Sequence, residues 1–536
     1  MTAFSLTKLL RLGCFALALL VNPWQALAGT PPVLFYSDLE SGPNTGGQND
    51  KGIYVTIWGN NFGTAPGTVT IGGGKADNYP IWSNTKISFQ IGPEAKTGNI
   101  IVTTNENQPS NPLPFTVREG RIFFVSAKHS SRGSGSYENP WRSPGSFYGK
   151  MRPGDILYFR EGAYPEQYTE TNWGSYNFTL GRASGGAPGK PIAFVGYPGE
   201  TAVLKAPSKS HGNITFGDST ETQASYITIA NLTLQGADFC IGGGGFWQRE
   251  KSGGTHIRVV GNRLSANYDG NTMTGLISVM GDSWRIFGNE FVDTGTTPPI
   301  NNNHALYIMT GASDIDVGWN QFRNLRMGHV IQVHTDIPYR YQDIRIHDNV
   351  ITAADNNDSR GINVGRALPG TYGVIYNNVL YNVGQNFSAI AIYSGDWKIY
   401  NNTLYNINAT DGIIWVSAQA GKVPTVKVVN NIIYSDGQSP YVSALHGAKL
   451  SQIEQTNNLS LGYIPPDKPK PGNGNKADLV FQNPAAGDFH LRPGSPAIDQ
   501  GSDTVAPVVS RDRDGIPRPQ GKQFDIGAYE AVVPAR

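Results

Sequence analysis

Between Ser278 and Trp415 the chain collects side chains that can move protons or hold an anion: His304, Tyr307, His329, His334, Tyr339, Arg340, Arg360 and Arg366. Together these types can carry out a β-elimination on a uronate-containing sugar chain. The carboxylate must be neutralised, the C5 proton removed and the leaving oxygen protonated, which are tasks for Arg, His and Tyr. The expected catalytic set is therefore Arg360 or Arg366 on the carboxylate, His334 or His304 as base, and Tyr307 or Tyr339 as acid. His304 and His329 occupy equivalent places and could equally be stacked strand-end residues. Hydrolysis with inversion would instead need two carboxylates about 6.5 to 9.5 Å apart. Asp282, Asp336 and Asp396 follow strands and could supply them, although each also suits a turn. The run Asp355-Asn356-Asn357-Asp358 offers oxygen ligands for Ca²⁺, the one candidate cofactor, but lacks the spacing of a calcium loop and so reads more readily as an exposed turn.

Such groups can act together only if the backbone brings them to one surface, and an internal repeat does this. An apolar strand followed by asparagine recurs at Asn231, Asn262, Asn289, Asn320, Asn349, Asn378, Asn402 and Asn431, at spacings of 24 to 31 residues. That period fits one coil of a parallel β-helix per repeat and is too short for a propeller blade of about 40 residues. Stacked coils would align the asparagines in a column that exchanges amide hydrogen bonds while turning the bend, a structural role. Aligning the coils puts Ile277, Leu306, Ile331, Ile362, Ile390 and Ile414 in one inward stack. Ser278, Tyr307, Gln332, Asn363, Ala391 and Trp415 then form an outward column, with His334 and Tyr393 two positions on in their coils. This polar and aromatic stripe is a surface on which an extended sugar chain could lie, with Gln332, Asn363, Tyr393, Trp415 and Arg340 as expected binding residues.

The composition agrees. There are 65 Gly, 25 Tyr and 10 Trp with only 15% charged residues, which suits β-structure rich in tight turns. With 42 basic against 41 acidic residues the chain has no electrostatic footprint for nucleic acid or an anionic membrane. At the N-terminus Lys8 and Arg11 precede an apolar run from Cys14 to Val21, and Ala26-Leu27-Ala28 offers a cleavage site. Residues 1–28 thus read as a signal peptide, shorter than the about 20 apolar residues of a membrane span. The expected destination is extracellular, at the cell surface or in the periplasm. Removal of Cys14 leaves Cys240 alone, so no intramolecular disulfide is expected and a hydrophobic core must hold the fold.

Residues 29–118 show short alternating strands, among them Ile53-Tyr54-Val55-Thr56-Ile57 and Lys86-Ile87-Ser88-Phe89-Gln90. Gly59-Asn60-Asn61-Phe62-Gly63, Val69-Thr70-Ile71-Gly72-Gly73 and Ser110-Asn111-Pro112-Leu113-Pro114-Phe115-Thr116-Val117 give this segment its resemblance to an IPT/TIG domain, an immunoglobulin-like module. The resemblance implies a spacer or binding unit without catalysis. Residues 119–484 are similar to the right-handed parallel β-helices of the pectate-lyase-like and polysaccharide-lyase-like proteins. Residues 485–536, with Asp488-Phe489-His490-Leu491-Arg492-Pro493-Gly494 and Asp525-Ile526-Gly527-Ala528-Tyr529-Glu530, resemble the tail of secreted bacterial β-helix proteins, which implies a cap over the open solenoid end.

The lyase-like resemblance implies a secreted polysaccharide lyase. No Lys occurs between Ser252 and Trp397, unlike the lyases that use a Lys base, and neither the paired Asp of pectin hydrolases nor the Asp-Pro-His-Asp element of mannuronan epimerases is present. The expectation is an all-β, monomeric, exported protein acting on an extracellular polysaccharide, with a glycoside hydrolase and a non-catalytic matrix or binding protein as alternatives.

Overall fold

The period-2 alternation and the abundance of Gly and Asn corners predict strands without helices, and the elements formed among the described residues are strands and short 3-10 turns. A computed structural model of the chain describes residues 31–532 other than 131, 165–168, 172–173, 182–184, 207–211, 217–223, 237–238, 243–252, 267–274, 293–303, 326–327, 335–338, 354–359, 384–386, 408, 410, 436–438 and 463–475. Residues 1–28, expected to be a signal peptide, Asp336 and the Asp355 to Asp358 run lie outside the described residues.

The N-terminal module is a sandwich of a 4-stranded and a 5-stranded sheet. Each expected strand forms, with Val33–Ser37 and Asp77–Trp82 added at the sheet edges. Alternation turns Val55, Ile57, Ile87 and Phe89 of one sheet onto Val69, Ile71, Ile100 and Val102 of the other, all fully buried.

The sandwich is no detached spacer. Its core continues into the coil domain through Phe124, Ile156, Tyr158 and Phe287. Trp319 receives Phe35 at 5.6 Å and Tyr36 at 5.2 Å between ring centroids. The buried Tyr158 hydroxyl donates to Tyr54 O at 2.8 Å and accepts from Tyr54 N at 2.9 Å.

The coil domain stacks three long sheets. Sheet I has 12 strands from Ile122–Val125 to Ile453–Thr456, sheet II has 11 from Gly162–Tyr164 to Leu459–Leu461, and sheet III has 11 from Thr169–Thr171 to Val442–Leu445. Each coil visits I, II and III in turn, and pairing between coils is parallel apart from the first hairpin of sheet III. One aliphatic core fills the interior, and Trp141, Phe147 and Met151 belong to its first-coil end.

At the corner between sheets I and II the work expected of one asparagine is divided between two residues. The first takes the left-handed conformation: Asn231, Gly261, Gly288, Trp319, Asp348, Asn377, Asn401, Asn430 and Asn457 all have positive φ. The next is the ladder proper, Asn262, Asn289, Asn320, Asn349, Asn378, Asn402, Asn431 and Asn458. Each Nδ2 up to Asn431 donates to the following Oδ1 at 2.9–3.0 Å. Each Oδ1 also accepts the backbone N–H of the preceding rung. Asn231 is therefore not a rung; Leu232 stands there, and its N–H closes the ladder on Asn262 Oδ1.

The outward residues of the first column anchor other parts of the chain. Asn231 Nδ2 donates to Asp38 of the sandwich at 2.8 Å. Further along, Asn377, Asn401, Asn430 and Asn457 donate to the carbonyls of Arg511, Asp525, Ser502 and Gln500. The C-terminal segment, expected to cap the open end, is thus bound along the flank. Its hairpin covers the outer face of sheet II through Phe481, Phe489 and Leu491, and Val505, Val509 and Phe524 cover part of sheet I. The reason is chemical: corner amides and bare valine and tyrosine rows run down the flank and need partners.

Two histidines are clamped between carboxylates in this seam. His347 meets Asp348 at 2.6 Å and Asp316 at 2.7 Å, while His490 meets Asp488 at 2.6 Å and Asp514 at 2.7 Å. Burial opposes their charge, but the carboxylate bonds outweigh it and raise each histidine to about 9. Burial also acts on the two aspartates at His347. Asp348, fully enclosed, is raised despite its histidine bond, whereas Asp316, also bonded to His347 and near Arg345 and Arg285, is lowered.

Candidate functional site

The sandwich and the C-terminal segment occupy outer surface of sheets I and II, so the outer face of sheet III is where the predicted groups converge. Its register is the one read from the repeat: Ser278 pairs with Tyr307, Tyr307 with Gln332, Gln332 with Asn363, Asn363 with Ala391, and Ala391 with Trp415. Ile277, Leu306, Ile331, Ile362, Ile390 and Ile414 point into the core as expected.

The residues just before this inward stack, Leu276, Ala305, Val330, Ala389 and Ile413, are also in the core. Apart from the strand with Gly361 at that place, each strand therefore enters with two successive inward side chains, and the residues before this pair of positions emerge on the outer face. This places His304 beside Tyr307, ring centroids 4.9 Å apart, and stacks it 6.1 Å from His329. His329 pairs in register with Arg360, whose guanidinium lies 4.5 Å from the Phe387 ring. Phe387 touches His329 and Trp415, and Trp415 touches Tyr393.

The stripe is buried where an open surface was expected: His304, Tyr307, His329, Gln332, Asn363 and Trp415 are each less than one-tenth exposed. Neighbouring columns cover one another, as when Met280 and Met309 flank Tyr307.

Burial sets the protonation. His304 is lowered to about 4, chiefly by burial and further by the charges of His334 and Arg360, against a backbone hydrogen bond to His329 that raises it. His329 is lowered well below its usual range by burial and by His304, Arg360 and His334. His304 Nδ1 lies 2.9 Å from the His329 carbonyl, which can only accept, so the proton sits on Nδ1 and the lone pair on Nε2. His334 has the opposite tautomer when neutral: its Nδ1 accepts the Arg366 N–H at 3.0 Å, leaving the proton on Nε2. Of the two candidate bases, His304 has the geometry of an acceptor and His334 that of a donor. Burial raises Tyr393 to about 12, so its hydroxyl stays protonated.

Asn363 Nδ2 donates to Gln332 Oε1 at 2.7 Å, but Asn363 Oδ1 and Trp415 Nε1 have no hydrogen-bond partner among the described residues. At 5% and 6% exposure these unsatisfied atoms are costly unless a ligand meets them.

Other candidates lie apart. Tyr339 packs against the edge of the core, and Arg340 donates to the Pro369 carbonyl at 2.9 Å, tying two turns together. The Arg366 side chain is exposed and lines a cavity past the corner. Asp282 accepts the Ser313 N–H, and Asp396 begins a sheet I strand, so neither stands in the His304 cluster. No group of three or more His, Cys, Asp or Glu among the described residues could hold a metal ion. Sequence reasoning missed Phe387, which precedes its strand outside the repeat, and His446, whose Nδ1 lies 2.9 Å from Ser417 Oγ at the end of the face. A search for aromatic residues just ahead of each strand would have found Phe387.

Residues 40–117 match the IPT/TIG domain family, so the N-terminal sandwich is an IPT/TIG domain followed by a right-handed β-helix. No curated protein matches the chain. Among solved structures it is similar to pectate lyase Pel9A, with 16% identity over 77% of this chain and 96% of that one and a TM-score of 0.42. A rhamnogalacturonan lyase shares 12% identity over 70% and 94%, with a TM-score of 0.37. An alginate lyase from Paenibacillus shares 17% over 59% and 92%, with a TM-score of 0.34. Among the described residues no helix is long and apolar enough to cross a membrane.

Proposed function

We propose that this protein is an exported polysaccharide lyase that cleaves a uronate-containing extracellular polysaccharide by β-elimination on the outer face of sheet III. The observation that carries the reading is His304, held neutral with its lone pair on Nε2, next to the phenol of Tyr307 and within the field of Arg360. Arg360 neutralises the uronate carboxylate and so acidifies the C5–H bond. His304 takes that proton, the C4–O bond breaks as the C4–C5 double bond forms, and Tyr307 protonates the departing glycosidic oxygen. Asn363 Oδ1 and Trp415 Nε1 supply an acceptor and a donor for sugar hydroxyls.

The mature protein incubated with acidic and neutral polysaccharides should release new reducing ends together with the ultraviolet absorbance of an unsaturated uronate. His304→Ala should abolish both while leaving the fold intact. Reducing ends without absorbance would replace elimination by hydrolysis. The burial of His304 and His329 favours a second reading, a non-catalytic glycan binder in which they are structural. Binding without either product, unchanged in His304→Ala, would establish that reading instead.

A further inference from the structure

The connections from sheet III to sheet I differ in length in a way that opens a passage across the helix. Residues 365–371 and 418–424 form long connections, and the intervening coil crosses with residues 393–395 alone. The long turns stand two coil spacings apart, about 9.6 Å between backbones, with the short turn as floor between them.

The slot so formed has a volume of about 750 Å³ and is lined by Arg366, Leu368, Tyr393, Gly395 and Lys422. At Asp396 and Thr425 it continues into a second cavity of about 600 Å³ on sheet I, beside Tyr372, Lys398 and Pro507. Its floor is locked: Ser394 Oγ donates to Gly365 O at 2.6 Å, and Trp397 Nε1 donates to Ser394 O at 3.0 Å. Gly395 has φ +87°, and an added Cβ would come within 2.8 Å of Thr371, so the low floor requires glycine there. One wall is braced by Arg340 on Pro369 O, the other by reciprocal backbone bonds between Gln419 and Lys422.

Width and chemistry select the occupant. An α-helix with its side chains is about 10–12 Å across and does not fit between those backbones. Tyr393 lines one end and Tyr372, 45% exposed, the other, and aromatic rings are side chains of the kind that carry sugar rings. Arg366, Lys422 and Lys398 take part in no ion pair among the described residues. Against them stands the carboxylate of Asp396, while Asp343 in the second cavity is paired with Arg345, so the lining favours an anion. Tyr393 also touches Trp415, which makes the slot continuous with the sheet III face.

We infer that this transverse slot is a second binding site, for an anionic glycan, which carries the polymer beyond the sheet III face around the corner onto sheet I. The identity of that polymer with the substrate rests on the function proposed above, but binding in the slot can be measured without turnover. The test is native gel electrophoresis of the full chain through polygalacturonate, alginate, neutral dextran or polyglutamate. Wild-type protein should be retarded by at least one acidic glycan. Tyr372→Ala combined with Lys398→Glu, both at exposed positions, should weaken that retardation about tenfold in apparent affinity, while Trp415→Ala retains part of it. Circular dichroism of each variant checks the fold. Retardation by neither acidic glycan, equal retardation of the double variant, or equal binding of dextran or polyglutamate would overturn the inference. Absence of turnover with the double variant still impaired in binding would defeat the lyase reading and leave the slot standing.

Discussion

Asn349 lies in the middle of the ladder and is fully buried, so its replacement by alanine measures what the ladder contributes. Its Oδ1 accepts both Asn320 N and Asn320 Nδ2 at 3.0 Å, and its Nδ2 donates to Asn378 Oδ1 and Val317 O at 2.9 Å. In the variant Asn320 Nδ2 keeps its bond to Ile286 O, and Asn378 Oδ1 keeps the backbone N–H of residue 349. The Asn320 amide N–H loses its acceptor at a fully buried position. One orphaned buried donor, two half-satisfied amides, the Val317 carbonyl deprived of Asn349 Nδ2 and a small void, at about 1–3 kcal/mol for each unsatisfied group, sum to a loss of about 3–5 kcal/mol. Asn458→Ala at the last, half-exposed rung should cost only about 1 kcal/mol, because water can replace its partners. Urea unfolding followed through the buried Trp284 and Trp397 gives both values. A loss under about 1 kcal/mol for Asn349→Ala, or equal losses at the two rungs, would show that the ladder is incidental to coil stacking.

The histidine clamps predict an alkaline limb of stability. His347 is raised from 6.5 to about 9, so its contribution is full below pH 6.5 and is lost as pH rises through about 9. The loss is about 3 kcal/mol, and His347→Gln should reduce that limb in denaturation midpoints taken from pH 6 to pH 10, leaving the share due to His490. His304 and His329 act oppositely: their lowered values make stability fall as pH drops from 6.5 towards 4, and His304→Gln should reduce that acid limb in the same titration. Trp319→Ala removes the docking surface for Phe35 and Tyr36, should cost about 3 kcal/mol, and should speed proteolysis between the sandwich and the coils. Unchanged digestion would mean that the shared core around Tyr158 suffices to hold the sandwich.

The register of sheet III was legible because a parallel β-helix repeats a short code: an inward aliphatic residue at one place per coil, an outward residue directly after it, and an amide at the corner. Ile277 through Ile414 follow that code, and so do the sandwich strands around Ile57 and Phe89. The code does not say which of two adjacent corner residues takes positive φ, so Asn231 passed for a rung when Leu232 holds that place. It also omits residues outside the repeat, and Phe387, central to the aromatic contacts of the candidate face, is one of these.

The sequence by itself determined the inward stack from Ile277 to Ile414 and the outward column from Ser278 to Trp415, because their register depends on local period and coil length. Only the tertiary structure decided that the outward stripe of sheet III is buried, that His304 and not His334 has the acceptor geometry, that the tail is bound along the corner amides, and that a short connection between two long ones opens a slot. These depend on contacts between residues far apart in the chain, and on differences in loop length between coils whose alignment is set only when they stack.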